Sequence, residues 1–379
     1  MTKRRFLVLA GSILAVCLSL LPVGTGLRAA TDKLPARLTD QEFWKLVTDS
    51  SEQDGTFHSE NLVSNEARFQ YVLPDLTRAP KTGRVYMGVG SEQNFTYIAA
   101  LKPAMAFIVD IRRGNLDLHL AYKALFELSA NRADFVGRLF SKKQPAGLTT
   151  SSTAAQIFAA YANVPSSQAL YDQNLKAIKA QLVTKHGYAL SNGDLGGIDF
   201  VYGSWFESGP AIHYQLNGQQ GGRGGLGGFP TYADLMTADD GTGKQRSYLA
   251  NEESFLFMKD LETRNMLVPM VGNFAGPKAI RAVGAYVKQK EATVEAFYLS
   301  NVEQYLRQDG IWGQFCQNTA TLPIDATSMF IRSTRGGFGG QAGFGRAIAG
   351  RTGPGGFASD TALMSAERAA GCGSNAPRR

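Results

Sequence analysis

An apolar strand, a glycine turn, a helix and a second apolar strand follow one another early in the chain, and this order limits the possible folds more than any other feature. Residues 84–87 are predicted to be a short buried strand, and Gly88-Val89-Gly90 a tight turn. Residues 91–101 then have a helical pattern, and residues 105–109 are a second apolar run that ends at Asp110. Strands joined through helices run parallel with right-handed crossovers, so the sequence predicts a parallel sheet.

The alternation of strands and helices returns after a long interruption. Three more strands are predicted, at residues 266–271, 293–299 and 328–331. The fold class predicted for residues 81–335 is therefore α/β, a Rossmann-like, doubly wound and mainly parallel sheet. Residues 135–248, between the second and third strands, are interpreted as a helical and loop insertion over the sheet.

The predicted insertion and the two chain ends have their own patterns. Helices are expected near residues 154–161 and 170–182, followed by an aromatic, glycine-rich loop at 196–229. Residues 31–80 are predicted to be an N-terminal helical segment. Residues 336–379 are rich in Gly, Ala, Ser and Arg, so they are predicted to be a mobile tail or one draped on the surface.

Two local signals lie in the N-terminal helical segment. The run Thr39-Asp40-Gln41-Glu42 has the spacing of a capping box, which predicts that a helix begins there. Pro74 follows an apolar stretch and is expected to end any helix at that point.

The first thirty residues have the three parts of a secretory signal peptide. Residues 2–5 carry three positive charges, residues 6–23 are apolar, and residues 24–30 are mostly small, which predicts cleavage near Ala29 or Ala30. The charged part resembles a twin-arginine export motif. A membrane anchor is the alternative, but the apolar run is interrupted by Gly11, Ser12, Ser19 and Pro22. We therefore expect a periplasmic or secreted protein that meets the membrane only through its signal before cleavage.

Charge, cysteine content and histidine spacing limit the possible partners, disulfide bonds and metal sites. Cleavage removes four positive charges and no acid, so the formal net charge of +7 falls to +3, which needs no nucleic acid partner to explain it. Two of the three cysteines, Cys316 and Cys372, remain, and they either pair or stay free. The four histidines lack the paired spacing of metal ligands, so no metal site is predicted.

Polar residues and glycines stand where four of the predicted strands end. In a doubly wound sheet, ligands bind at the carboxyl ends of the strands. Glycines let a ligand approach the backbone after the first strand, an acid ending the second strand can accept hydrogen bonds from both ribose hydroxyls, and the later strand ends face adenine and substrate. The candidate ligand-binding residues are Gly88, Gly90, Ser91, Glu92, Asp110, Ile111, Asn273, Ser300 and Asn301.

These residues resemble the class I S-adenosylmethionine-dependent methyltransferase fold, best at residues 85–90 and 106–110 within residues 81–332. Enzymes that transfer the aminocarboxypropyl group of S-adenosylmethionine to diacylglycerol look similar at the glycine turn with a nearby Asn (Gly88 to Asn94) and at Asp110. They also look similar at the Leu-rich helix around Lys123 and at Ser300-Asn301. The chain also looks like an uncharacterised family of exported bacterial proteins with this fold. The resemblance implies S-adenosylmethionine or a related adenosine ligand, and a possible group transferase.

The chain departs from the methyltransferase pattern at two positions. Such enzymes usually have an acid two residues before the first glycine, where this chain has Tyr86, and often a third glycine, where it has Glu92. No catalytic base is indicated. The alternatives are a catalytically inactive binding or scaffold protein of the cell envelope, and a hydrolase or isomerase acting on another adenosine-like ligand.

Two further segments have two interpretations each. The insertion's aromatic cluster either lines a substrate cleft or packs the insertion onto its domain, and packing is favoured. This cluster contains Tyr202, Trp205, Phe206, His213 and Tyr214. Residues 57–61, with Asn65 and Glu66, either form a lid over the ligand or a surface loop, and the surface loop is favoured.

Overall fold

The computed structural model describes residues 33–78, 81, 83–214, 229–335 and 357–369. Its strands are β1 Val85–Gly88, β2 Met105–Asp110, β3 Leu267–Val271, β4 Val294–Ser300, β5 Met329–Arg335 and β6 Phe357–Leu363. They form one sheet in the order β3-β2-β1-β4-β5-β6, in which β6 alone runs antiparallel to its neighbour. The predicted Rossmann-like α/β fold is confirmed. The predicted signal peptide lies outside the described residues.

Helices flank this sheet. They are α1 Asp40–Ser50, α2 Leu73–Leu76, α3 Gln93–Leu101, α4 Arg113–Leu128, α5 Arg132–Leu139, α6 Ala154–Ala162, α7 Gln168–Lys179, α8 Asn192–Ser208, α9 Tyr232–Thr237, α10 Glu252–Thr263, α11 Ala279–Gln289, α12 Val302–Gln308, α13 Trp312–Ala320 and α14 Met364–Ala369. Two 3₁₀ turns, Phe69–Val72 and Gly209–Ala211, and a π-helical turn, Ala180–Lys185, add to them. In the described parts of the chain, no helix is long and apolar enough to cross a membrane.

Two local predictions in the N-terminal segment had different outcomes. The capping box of α1 is confirmed, because Thr39 Oγ1 accepts from Glu42 N at 3.2 Å and Glu42 Oε2 accepts from Thr39 N at 2.8 Å. The prediction that Pro74 ends any helix is wrong. Pro74 lies in the first turn of α2, where a proline costs no hydrogen bond.

The strand order places a ligand crevice between β1 and β4. All six residues of β2 and all five of β3 are buried, as expected for a parallel sheet covered on both faces. From β1 the chain proceeds to β2 and β3 on one side, and it then returns to β4 and β5 on the other. The carboxyl ends of β1 and β4 therefore meet where the strand order reverses, the usual position of a ligand in such sheets.

The predicted loop at residues 196–229 is wrong in its first part, which belongs to α8. Ser191 caps this helix through its hydroxyl, and buried side chains recur at helical spacing: Ile198, Val201, Tyr202 and Trp205. Gly197 contributed to the prediction of a loop, but in the structure it allows close packing of α8 on α4. A Cβ at this position would overlap the carboxylate of Asp117 on α4. Residues 215–228 of the predicted loop lie outside the described residues.

The prediction of a mobile or draped tail over residues 336–379 is wrong for residues 357–369. Seven residue pairs join β6 to β5, and α14 follows with Met364 fully buried. Arg332 on β5 also donates to Glu367 on α14 at 3.1 Å. Backbone pairing thus recruits a segment that has few large apolar residues of its own, a tertiary effect that composition does not reveal.

Cys316 on α13 is disulfide-bonded. The predicted alternative in which it stays a free thiol is therefore wrong. The other two cysteines, Cys17 and Cys372, lie outside the described residues. Arg368, at the end of α14, donates to the carbonyl oxygen of Leu322 at 2.8 Å and so fastens α14 next to α13. The C-terminal segment is therefore held at the sheet edge by side chains as well as by backbone pairing.

A buried ionic network joins α1, α4, α10 and the π-helical turn. Lys123 Nζ lies 2.9 Å from Glu127 Oε1 and donates to the carbonyl oxygen of Glu262. His186 bridges two carboxylates, with Nε2 2.6 Å from Glu127 Oε2 and Nδ1 2.7 Å from Asp40 Oδ1. Burial opposes ionisation of Glu127, but the hydrogen bond from His186 and the charge of Lys123 lower its pKa to about 2. This network anchors the N-terminal segment to the helices that flank β3.

Glu262 should make the free energy of unfolding fall as the pH rises. Burial, followed by the charge of Glu127, raises its pKa to about 8, although Lys123 partly opposes this. A folded-state pKa above the ordinary 4.5 means that the stabilisation is present below about pH 4.5 and is lost as the pH rises towards 8. One such group changes the unfolding free energy by at most about 1.4 kcal/mol per pH unit. Urea unfolding between pH 5 and 8.5 should give a shallower decline for Glu262→Gln than for wild type, and equal slopes would contradict this assignment.

Candidate functional site

A cavity of about 190 Å³ lies at the carboxyl ends of β1, β2, β3 and β4. Seven of the nine predicted ligand-binding residues line it: Gly90, Ser91, Asp110, Ile111, Asn273, Ser300 and Asn301. Four separate strand ends supply these residues, as expected at the reversal of strand order. The cavity is smaller than the roughly 300–1,000 Å³ of pockets for drug-sized ligands, so it suits a nucleoside or the nucleoside part of a larger molecule.

The other two predicted residues, Gly88 and Glu92, do not line this cavity, and their contacts stabilise the fold around the glycine turn instead. A Cβ on Gly88 would overlap Asn94 Oδ1, which accepts a hydrogen bond from Tyr86 Oη at 2.8 Å. Glu92 is fully buried and its Oε1 accepts from Ser64 N at 3.2 Å. Burial raises the pKa of Glu92 to about 7, although the hydrogen bond from Ser64 opposes the shift. Tyr86 and Glu92, the two departures from the methyltransferase pattern, therefore fix the glycine turn from behind.

Gly90 presents open space to the cavity. Its φ is +78°, a conformation that favours glycine, and Asn61 Nδ2 is the one described atom within 4 Å of an added Cβ, at 3.4 Å. His119 on α4 holds the turn, because its Nε2 lies 2.8 Å from the carbonyl oxygen of Gly90. Burial lowers the pKa of His119 to about 4, so the neutral ring donates from Nε2 to that carbonyl. The turn thus leaves room for a ligand against its backbone.

The two glycines should respond differently to substitution by alanine. Gly88→Ala should lower the free energy of unfolding by about 1–3 kcal/mol, because its methyl group displaces Asn94 from the turn. Gly90→Ala should cost only about 1 kcal/mol for its left-handed backbone. It should nevertheless weaken binding of an adenosine ligand roughly tenfold, because its methyl group enters the cavity. Urea unfolding and calorimetry on both variants measure these effects, and equal losses of affinity and stability in the two would contradict the assignment.

Asp110 ends β2 with its carboxylate at the cavity. Oδ1 accepts from Arg112 N at 3.0 Å and lies 3.3 Å from Arg112 Nε. Within the described residues the side-chain hydrogen bond and ion pair of Asp110 both use Oδ1, which leaves Oδ2 for a ligand. Arg112 also donates through Nη1 to the carbonyl oxygen of Glu60, while its buried Nη2 has no hydrogen-bond partner in the described structure. One carboxylate oxygen is thus available at this wall, whereas the unpartnered guanidinium nitrogen of Arg112 is buried.

A carboxylate from the N-terminal segment joins the carboxyl end of β3 to the start of α11. Glu52 accepts from Asn273 N at 3.1 Å and from the backbone amides of Lys278 and Ala279, each at 2.8 Å. Asn273 Oδ1 accepts from Ala275 N at 2.9 Å, so its side-chain amide nitrogen is free to donate to a ligand. Glu52 therefore occupies the anion position at this helix start, and Asn273 faces the cavity as a donor.

The end of β4 carries the part of the site that the sequence did not reveal. Ser300 has a φ of +49°, unusual for a residue other than glycine, and its Oγ donates to Glu66 Oε1 at 2.8 Å. Tyr298 Oη donates to the same oxygen at 2.6 Å. Glu66 is only 1% exposed, and burial raises its pKa despite these hydrogen bonds. A buried carboxyl group thus organises two hydroxyl groups that line the cavity.

The favoured interpretation of residues 57–61 and 65–66 as a surface loop is wrong. Phe57, Asn61 and Asn65 line the cavity, and Thr56 precedes them there. The segment lies over the strand ends because Asp54 Oδ1 accepts from the first backbone amide of α4 at 2.6 Å, in addition to the contacts of Glu52. The alternative, a lid over the ligand site, predicted the location of this segment better. The sequence feature that indicated it is the concentration of Asn and acidic residues before a short apolar stretch.

The insertion's aromatic cluster divides between the two interpretations. Tyr202 and Trp205 are fully buried and pack the insertion, with Trp205 against Tyr122 of α4 at a ring-centroid distance of 4.6 Å. Tyr214, at the far end of the cluster, lines the cavity instead. The favoured packing role is therefore right for the helix residues and wrong for Tyr214.

Aromatic rings and few charges characterise the described cavity wall. Its aromatic residues are Phe57, Tyr214, Phe274, Tyr298 and Tyr305, and its charged residues are Asp110, Arg112 and Asp309. Phe57 and Tyr305 meet edge to face with centroids 5.4 Å apart. No group of three or more His, Cys, Asp or Glu side chains that could hold a metal ion occurs in the described ranges.

Comparison with known families gives one match. A family model with the description "Domain of unknown function (DUF7790)" matches residues 61–347, which include every strand end at the cavity. A search of curated proteins found no match.

Proposed function

The chain belongs to the DUF7790 family, and because that description states no activity, we propose a function from the cavity itself. We propose that the cavity binds S-adenosylmethionine or a related adenosine ligand, and that the protein is a methyltransferase-like group transferase exported to the periplasm or beyond. The signal-like first thirty residues support the export part of this proposal.

The observation that carries the proposal is the position of Asp110 and Gly90 at the ends of two neighbouring strands, on one cavity. An acid at the end of β2 accepts hydrogen bonds from two ribose hydroxyls, while the open glycine turn after β1 lets the ligand approach the backbone. Both features lie on one cavity at the reversal of strand order.

The charges of the cavity favour an adenosine ligand without phosphates. Two of the three charged residues on the described wall are acids, and the third, Arg112, is already paired with Asp110. Phosphate sites instead use cationic side chains and free helix amides, and Glu52 occupies those of α11. S-adenosylmethionine carries a positive sulfonium, which acids and aromatic faces stabilise. This argues for S-adenosylmethionine over nucleoside phosphates and dinucleotides.

The bound cofactor would supply an activated alkyl carbon for transfer, and the chain's own residues would hold and orient it. Asp110 would hold the ribose, and Ile111 and the donor nitrogen of Asn273 would flank the adenine. The ends of β4 and α12, with Ser300 and Asn301, would face the acceptor.

A catalytically inactive binding protein of the envelope is the second candidate. One observation favours it: among the described cavity residues there is no histidine, lysine or cysteine, the side chains most often used as bases or nucleophiles. Such a protein would bind the same ligand and transfer nothing from it.

A thermal-shift panel on the chain from residue 31 onwards tests the proposed ligand class. S-adenosylmethionine, S-adenosylhomocysteine and adenosine should each raise the melting temperature, whereas ATP and NAD should not. Binding stabilises by about 2.7 kcal/mol when the ligand is at 100 times its dissociation constant, which is enough to detect. Stabilisation by ATP or NAD alone would contradict the proposal. Incubating labelled S-adenosylmethionine with envelope extract and the protein then separates transferase from binding protein by transfer of label.

A further inference from the structure

Glu66 is a buried carboxyl group surrounded by neutral donors. Its Oε1 accepts from Tyr298 and Ser300, and its Oε2 accepts from Gln93 Nε2 at 3.2 Å and from Ser359 Oγ at 3.4 Å. In the described parts of the chain no Lys, Arg or His forms an ion pair with it, unlike the buried acids Glu127 and Asp194. A buried carboxylate without a cation is costly, so this arrangement calls for an explanation.

Three of the four residues that donate to Glu66 lie on the cavity wall, and Glu66 orients their donor groups. Tyr298, Ser300 and Gln93 all line the cavity. A hydroxyl group has one proton and two lone pairs, and both hydroxyl protons point to Glu66. Gln93 Nε2 also donates to Tyr298 Oη, so Tyr298 keeps one lone pair and Ser300 keeps two. Both hydroxyl oxygens can therefore accept hydrogen bonds from a ligand.

The two carboxyl groups near the cavity differ in their partners. Asp110 is paired with Arg112 at 3.3 Å, whereas the Glu66 carboxyl group behind the two hydroxyl groups has no cationic partner in the described structure. A positive ligand group that donates hydrogen bonds would supply this missing partner and stabilise the ionised form of Glu66. A sulfonium is positive but has no proton to donate, whereas an aliphatic ammonium has three.

We propose that Tyr298 and Ser300 form a subsite for an aliphatic ammonium group, with Glu66 behind them as its counter-charge. Glu66 is then a positioning residue, which acts through the two hydroxyl groups. This inference rests on the proposed function, and it adds the chemistry of the second group that the cavity recognises. The ammonium belongs either to the amino-acid part of S-adenosylmethionine or to a separate amine substrate.

Calorimetry with matched ligands separates these two sources. In the first arm, S-adenosylhomocysteine, which has an amino group, is compared with 5′-methylthioadenosine, which has none. In the second, ethylamine is titrated into the protein, alone and saturated with 5′-methylthioadenosine. Glu66→Gln should weaken binding of the amine-bearing probe roughly tenfold to a hundredfold, as expected for a charged hydrogen-bonded group, and should leave 5′-methylthioadenosine unchanged. The arm that responds identifies the source of the ammonium.

Two further variants keep the test independent of folding. Tyr298→Phe and Ser300→Ala each remove one acceptor and keep the carboxyl group, so each should reduce the amine preference by a smaller factor. Glu262→Gln is the matched control, a fully buried carboxyl group outside the cavity, and it should leave the preference unchanged. Circular dichroism and melting temperature establish that each variant is folded.

The outcomes distinguish the two proposals. If the wild type shows no preference for the amine in either arm, or if Glu66→Gln, Tyr298→Phe and Ser300→Ala all retain it, the ammonium subsite is wrong. If 5′-methylthioadenosine binds but the amine adds nothing, the proposed function survives and only the subsite fails. If no adenosine ligand binds while ethylamine does so in a Glu66-dependent manner, the proposed function fails and the subsite stands.

Discussion

Replacing Asp110 by asparagine is expected to lower the affinity for S-adenosylmethionine and S-adenosylhomocysteine roughly a hundredfold or more. In the proposed complex this carboxylate accepts hydrogen bonds from the ribose hydroxyls, and a hydrogen bond to a charged group contributes about 1.5–3 kcal/mol. A single asparagine oxygen cannot replace both carboxylate oxygens, and its amide nitrogen would face Arg112. Titration calorimetry on the wild type and the variant gives the two dissociation constants.

Asp325→Asn is the control for this prediction. Asp325 also pairs with an arginine, with one oxygen 2.7 Å from Arg84 Nη2, but it lies beyond the amino ends of β1 and β5, away from the cavity. Its loss should lower the unfolding free energy slightly and change the ligand affinity less than about threefold. Equal affinities for Asp110→Asn and wild type would remove Asp110 from the site, whereas equal losses in both variants would indicate a general effect on folding.

Replacing Lys123 by methionine is expected to lower the free energy of unfolding by about 3–5 kcal/mol. Lys123 is 1% exposed, and its ammonium compensates Glu127 and contacts the carbonyl oxygen of Glu262. Its removal leaves a buried acid without this cation. Because Lys123 is outside the cavity, the affinity for adenosine ligands should be unchanged while the protein remains folded. Urea unfolding and calorimetry at low temperature measure the two quantities.

Lys45→Met is the matched control, because Lys45 is a largely exposed lysine that pairs with Asp49 on the surface of α1. We expect its change in unfolding free energy to stay within about 0.5 kcal/mol. A loss of affinity in folded Lys123→Met would show that the lysine contributes to binding. This result would agree with the resemblance to aminocarboxypropyl transferases, which includes the helix around Lys123. A loss of stability no larger than that of Lys45→Met would contradict the role of the network.

The sheet was predictable because each parallel strand is an apolar run that ends in a polar or glycine residue. Residues 105–109 before Asp110 and residues 266–271 before Gly272 are of this kind, and such runs need no knowledge of the rest of the chain. The expected order of the strands and the residues at their ends together predicted most of the strand-end residues that line the cavity. The edge strand β6 was missed because its sequence, Phe-Ala-Ser-Asp-Thr-Ala-Leu, pairs through backbone atoms and has little apolar pattern.

The missed part of the site comes from long-range contacts. Glu66 and Ser300 are joined by a hydrogen bond across 234 residues, and Glu52 reaches Asn273 across 221 residues. No local spacing indicates such pairs, because each depends on how the N-terminal segment crosses the strand ends. The sequence has Tyr86 where methyltransferases usually have an acid, and the fold brings the acid Glu66 behind the cavity wall from a different segment of the chain.

Native mass spectrometry of the chain from residue 31 onwards, incubated with S-adenosylmethionine, tests the central claim most directly. We expect a complex of one ligand per chain for the wild type, largely absent for Asp110→Asn and retained for Asp325→Asn. A wild-type spectrum without the complex, at ligand concentrations well above the micromolar range, would contradict the claim that this cavity is an S-adenosylmethionine site.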